Sequence, residues 1–204
     1  HVTSEEPAKM LNKLIYQYPE LIEENASDLI STLLMIWQKL VVEIPEDDSK
    51  RYLTLIISIL QKMDQNSQIY SDKTNEICDF FMYAILKFKD IYNLGDYFCV
   101  VNTLLEKVDN PEPALYELIP FICQFIYDDF ENVESYIKLV VQFFINFIRK
   151  PYFFLFGEGV YANTILEFGE MVLSNGNLPN SISNIFILYA AIIQIRKEQN
   201  IDLA

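Results

Sequence analysis

The feature that most limits how this chain can fold is the regular return of apolar helical stretches, with a new pair beginning about every 40–45 residues. The paired stretches are Pro7–Tyr16 with Asp28–Val42, Lys50–Met63 with Lys73–Lys87, Asp96–Val108 with Ala114–Tyr127, and Val133–Ile148 with Val160–Leu173, followed by an unpaired Ile182–Arg196. No stretch alternates strictly between apolar and polar residues, so no strand is predicted. The pattern predicts an all-α fold of about nine helices in antiparallel pairs.

These helices have apolar residues on two faces, which decides how the pairs must be arranged. In Lys50–Met63, Leu53 and Leu60 belong to one stripe, while Leu55 and Ile59 form a second stripe. Both stripes are covered when each helix contacts its pair-mate and also the neighbouring repeat. We therefore expect the pairs to stack as an α-α superhelix, in a single helical-repeat domain over residues 1–204. Because the chain begins without Met, we expect it to be a segment of a longer protein.

Turn-forming residues mark most of the predicted helix boundaries. The prolines at or beside a boundary are Pro7, Pro45, Pro111, Pro113, Pro151 and Pro179. Asn175-Gly176-Asn177 follows Val160–Leu173 and supplies a residue suited to a left-handed C-cap. Pro120 lies within a predicted helix, so it is expected either in a first turn or at a kink. Ile182–Arg196 is apolar over a wide arc, and we expect it to dock on the fourth pair or on a surface beyond this chain.

The net charge of the chain indicates which classes of partner it can bind. With 15 basic and 29 acidic residues, the formal net charge is −14. Such a chain repels phosphate, so direct nucleic-acid binding is not expected, whereas basic protein segments are complementary. Acidic residues cluster at predicted turns or first helical turns, where they either favour helix ends or form a ridge for basic partners. The candidate partner-binding carboxylates are Glu43, Glu46, Asp47, Asp48, Asp128, Asp129 and Glu131.

A second candidate surface is the aromatic connection that begins at Tyr152. Three aromatic residues follow one another there, Tyr152, Phe153 and Phe154. Aromatic side chains this dense in a connection either fold back on the core or meet a partner. We therefore keep both interpretations, and the three residues join the candidate partner-binding set.

No constellation of side chains in the sequence indicates catalysis, a metal or a cofactor. The only histidine is His1, which excludes histidine-based nucleophile triads. Cys78, Cys99 and Cys123 are widely spaced within apolar helical stretches, so we expect buried, reduced thiols and no zinc site. Leu139–Phe156 is interrupted by polar residues and Ile182–Ile195 is too short for a bilayer, so no membrane span is predicted.

Helix pairs of about 40–45 residues with acidic turns resemble HEAT-type repeats. Within that class, the acidity and the segments Tyr18–Glu24, Leu29–Trp37 and Leu115–Ile122 resemble the importin-β/exportin superfamily of nuclear transport receptors. The resemblance implies a non-enzymatic scaffold in the cytoplasm or nucleus that binds basic cargo or a partner protein. HEAT-like scaffolds of RNA processing fit the same pattern.

Two other classes stay open. An all-α regulatory module for a small GTPase would need an exposed arginine, and the chain offers Arg51, Arg149 and Arg196. A helical bundle that holds an apolar ligand in its Phe- and Tyr-rich core is the third class.

Overall fold

The structure is a computed structural model that describes residues 5–40, 46–64, 67–88, 94–151, 153–154 and 159–198. All regular secondary structure in these ranges is helical. The helices are α1 (Glu5–Gln17), α2 (Pro19–Leu40), α3 (Glu46–Lys62), α4 (Ile69–Phe88), α5 (Leu94–Lys107), α6 (Pro113–Asp128), the four-residue α7 (Phe130–Val133), α8 (Ile137–Ile148), α9 (Val160–Asn175) and α10 (Pro179–Glu198). The predicted all-α class is confirmed, with nine longer helices in the described ranges.

The chain divides into two compact units, His1–Val108 and Asp109–Ala204. In the first unit, α3 packs on α1, α2 and α5, while α2 also packs on α4. Trp37 on α2 lies at the centre of the core, with ring centroids of Phe80 and Tyr97 at 4.6 and 5.5 Å. Helices two apart in sequence therefore share the core of this unit.

In the second unit, α8 packs on α10, and α9 packs on both α6 and α10. The core is aromatic: Phe147 contacts Tyr116 at 5.2 Å between ring centroids, and Phe144 contacts Phe168 at 5.2 Å. The terminal helix α10 covers α8 and α9, which confirms the expectation that it docks on the fourth predicted pair. No helix in the described part of either unit is long and apolar enough to cross a bilayer.

The positions of the helices match the sequence prediction better than their pairing does. The predicted partners Lys50–Met63 and Lys73–Lys87 correspond to α3 and α4, yet α3 packs chiefly on α2, α1 and α5. A helix with two apolar stripes can bury both of them against more than one set of neighbouring helices. The sequence pattern therefore indicates two-sided burial without selecting the partner.

Helix α2 is longer than the predicted Asp28–Val42, because it begins at Pro19. Proline is favoured at a first helical position, and the buried Ile22 and Ala26 continue the core-facing stripe. Glu23 and Glu24 accordingly lie within a helix, where a turn was expected.

Two local features of the second unit bear on the sequence predictions. Gly176 caps α9 with φ −67°, outside the left-handed region. Glycine fits there because its N–H donates to the Val172 carbonyl, and a Cβ would lie only 2.6 Å from that oxygen. Pro120 lies inside α6, beyond its first turn. Its exposed ring, which has no N–H to donate, faces solvent beside α9.

Candidate protein-binding surfaces

The acidic residues predicted near position 130 lie where α6 gives way to α7. Asp128 and Glu131 are exposed and Asp129 is half-buried. The Gln124 side-chain amide donates to Asp128 Oδ1 at 2.6 Å, and the Asn132 amide donates to Asp129 Oδ1 at 2.6 Å. These amide donors orient the carboxylates without neutralising them, so the turn keeps its negative charge.

The other predicted carboxylates belong to the first unit. Glu43 lies outside the described residues. Glu46, Asp47 and Asp48 form the first turn of α3, and their side chains lie outside the described part of the structure.

The aromatic connection contributes to the core. Tyr152 lies outside the described residues. Phe153 is 0% exposed and stacks on Tyr116 at 6.2 Å between ring centroids. Phe154 is half-buried, with the Arg196 guanidinium 5.5 Å from its ring centroid. The proposed partner contact of Phe153 is therefore corrected: its ring has no surface left for a partner.

Sequence reasoning missed a surface groove of about 370 Å³ between α6 and α9. Its α6 wall is formed by Pro120, Cys123, Gln124 and Tyr127. Its α9 wall is formed by Thr164, Glu167, Phe168 and Met171. Each wall is a helical stripe at positions i, i+3, i+4 and i+7, so the two stripes face each other along two turns. We name this surface the α6/α9 groove.

The α6/α9 groove is lined by apolar side chains, the neutral polar Gln124 and Thr164, and one carboxylate, Glu167. The Tyr161 hydroxyl donates to Glu117 Oε1 at 2.8 Å, which links α9 to α6. Burial, this hydrogen bond and the charge of Glu117 raise the pKa of Tyr161 to about 12, so the hydroxyl stays protonated. Burial, with a smaller effect from Glu167, raises the pKa of Cys123 to about 12. Neither the Tyr161 hydroxyl nor the Cys123 thiol adds a charge at neutral pH, so the charge near the groove comes from carboxylates.

The first unit contains a groove of the same construction, about 380 Å³ in volume, between α2 and α4. Its α2 wall is formed by Ser31, Leu34, Met35 and Gln38, and its α4 wall is formed by Glu76, Asp79, Phe80 and Tyr83. The spacing is again i, i+3, i+4 and i+7 on both helices. Each unit thus pairs two helices so that a part of their apolar faces stays open to solvent.

A polar cluster beside the α2/α4 groove brings together the side chains of a lysine, a serine and a glutamate. Lys73 Nζ lies 2.6 Å from Ser31 Oγ and 2.7 Å from Glu76 Oε2, and Ser31 Oγ donates to the same carboxylate oxygen at 2.8 Å. An ammonium has no lone pair, so it can donate hydrogen bonds but cannot accept a proton. Lys73 therefore cannot take a proton from Ser31, and the cluster ties α2 to α4.

The three thiols differ in their exposure to solvent, although the sequence predicted that all three are buried. Cys78 is buried and Cys123 is half-buried, but Cys99 on α5 is exposed, which corrects the prediction of three buried thiols. Burial of the sulfur, with a smaller effect from Asp96, raises the pKa of Cys99. Burial, with a smaller effect from Asp79, raises the pKa of Cys78 to about 12. Accessibility should therefore control which thiol reacts.

We expect one thiol per chain to react quickly with a disulfide reagent in the folded protein at pH 8, because Cys99 alone among the three is exposed. The rate should rise with pH, since the raised pKa leaves Cys99 mostly protonated. The Cys99→Ser variant should lose the fast phase, and Cys123→Ser should keep it. Three thiols should react after denaturation. A fast phase that survives in Cys99→Ser would contradict this placement.

Within the described residues, no group of three or more His, Cys, Asp or Glu side chains could hold a metal ion. Comparisons with protein-family models, curated proteins and solved structures found no match to this chain.

Proposed function

We propose that this chain is a non-enzymatic scaffold segment that binds basic segments of partner proteins. The observation that carries the proposal is the negative charge at the end of α6, where Asp128, Asp129 and Glu131 lie together and form no ion pair with a basic side chain among the described residues. Asp128 and Asp129 accept hydrogen bonds from neutral amides. Residues 109–204 contain 12 acidic and five basic residues, so the wider surface reinforces this field.

The helix contacts within the first unit support a repeat scaffold. Contacts between α1 and α3, α3 and α5, and α2 and α4 join helices two apart in sequence, as in stacked helical repeats. On this basis we propose a HEAT-like superhelix, most consistent with a nuclear transport receptor of the cytoplasm and nucleus. A HEAT-like scaffold of RNA processing uses the same surfaces for another partner.

A regulatory module for a small GTPase has less support. Arg149 is exposed, and its backbone N–H bonds to the Ile145 carbonyl at the end of α8. A cation at this position complements the negative end of the helix, which accounts for the residue without a catalytic role. Arg51 and Arg196 are half-buried.

The scaffold proposal is tested by titrating the chain with a fluorescent Lys- and Arg-rich peptide at low and high salt. We expect binding at about 50 mM salt that weakens by tenfold or more at about 500 mM, because exposed charges are screened. The triple variant Asp128→Asn, Asp129→Asn and Glu131→Gln should bind at least threefold more weakly.

The matched control also removes three negative charges, but at other exposed positions, with Glu106→Gln, Asp109→Asn and Glu198→Gln. This control should bind like the natural chain if the end of α6 matters more than net charge. Absence of binding at low salt, or binding that is indifferent to salt, would refute the proposed function.

A further inference from the structure

We infer that the α6/α9 groove binds an amphipathic helical segment of a partner protein, with apolar anchors on one face and Lys or Arg residues beside them. This inference rests on the proposed function and names the kind of segment that the scaffold receives. Three observations on α6 and α9 carry it, namely open apolar surface, one-signed charge, and the length of the two walls.

The groove leaves apolar side chains open to solvent. Tyr127 is 66% exposed, Pro120 is exposed and Met171 is half-buried, whereas Phe168 forms a buried floor. Exposed aromatic and thioether groups beside a cavity are typical of surfaces that receive another apolar side chain. The volume of about 370 Å³ is large enough for anchor side chains of a peptide.

The two helices that form the groove carry only negative charge. Their ionised residues are Glu117, Asp128, Glu167 and Glu170, and neither α6 nor α9 contains a Lys or Arg. Among the described residues, no basic side chain forms an ion pair with Glu167 or Glu170. An occupant with flanking Lys or Arg residues gains attraction to these carboxylates, whereas a phosphate backbone is repelled.

The length and residue spacing of the two walls also favour a helical conformation for the bound segment. Each wall runs from position i to i+7, which at 1.5 Å per residue is about 10 Å. A helix laid along the groove presents its own anchors at i, i+4 and i+7 over the same length, as in helix-in-groove recognition. A second copy of this chain is a weaker candidate, since each copy carries a net charge of −14.

The test compares two peptides of identical composition, each rich in Leu, Phe, Lys and Arg. One places its apolar residues at i, i+4 and i+7, and the other has the same residues permuted so that no helical face is apolar. We expect the amphipathic peptide to bind the full chain at least tenfold more tightly by fluorescence anisotropy at low salt. The Glu167→Lys/Glu170→Lys variant should weaken this binding about tenfold or more.

Two variants that leave the net charge unchanged test the apolar part of the groove. Tyr127→Ala should weaken the amphipathic peptide about three- to tenfold, because its ring supplies open apolar surface. The matched control is Tyr18→Ala, which removes another exposed tyrosine ring, 55% exposed, from the first unit. This control should leave binding unchanged. Circular dichroism of each variant checks that the fold is retained.

The outcomes separate the groove from the wider proposal. Equal binding of the two peptides, or unchanged binding by both groove variants, would overturn the inference that the groove binds an amphipathic helix. The proposal of an acidic scaffold would still stand. No binding of either peptide at low salt would overturn the scaffold proposal and the groove together. Self-association that rises with concentration and excludes the peptide would overturn the inference in favour of a second copy.

Discussion

Replacing Trp37 with alanine is expected to lower the free energy of unfolding by about 3–5 kcal/mol. Trp37 is 0% exposed and meets Phe80 and Tyr97 edge-on, at 4.6 and 5.5 Å between ring centroids. The single side chain thus joins α2 to α4 and α5. Its loss leaves a cavity and removes two edge-to-face contacts, which are worth about 0.5–1.5 kcal/mol each beyond the buried area.

Urea denaturation followed by far-ultraviolet circular dichroism measures this effect. Trp37 is the only tryptophan, so its fluorescence reports the environment of the core in the natural chain but is lost in the variant. Trp37→Phe keeps an aromatic ring at the centre and should lose clearly less stability than Trp37→Ala. A loss below about 1 kcal/mol for Trp37→Ala would show that the indole is not the centre of this core.

The helical period of the sequence located most helices because buried residues must recur along one face. The predicted end at Ile148 matches the end of α8, and the predicted start at Val160 matches the start of α9. The first half of α2 was missed because its acidic residues resemble a turn, although only its buried Ile22 and Ala26 face the core. Composition alone cannot distinguish a solvated helix face from a loop.

The candidate site was less accessible to sequence reasoning, because it arises only when two helices pack. Glu167 carries no signal on its own, and it lines the groove only because α6 lies beside α9. One signal was present, since neither helix contains a basic residue. For the aromatic residues beginning at Tyr152, the sequence left core packing and a partner contact both open, and Phe153 is a core residue.

Replacing Glu134 with alanine is expected to destabilise the second unit by about 3–5 kcal/mol, because a buried carboxylate holds two backbone donors there. Glu134 is 6% exposed, and its Oε1 accepts the N–H groups of Asn177 and Leu178, each at 2.8 Å. The Ser181 hydroxyl donates to the Glu134 carbonyl at 3.3 Å. The side chain thus ties the turn after α7 to the start of α10.

The Glu134→Gln variant is the matched control, because it keeps a carbonyl oxygen of similar shape while removing the charge. Since hydrogen bonds to a charged acceptor are stronger than neutral ones, we expect Gln to lose about 1–2 kcal/mol and Ala to lose more. Urea unfolding of the full chain measures both losses. Amide hydrogen exchange at Asn177 and Leu178 should accelerate most in Glu134→Ala, because these two backbone donors then lose their acceptor. Equal stability of the Ala and Gln variants would mean that the carboxylate oxygen does not hold this turn.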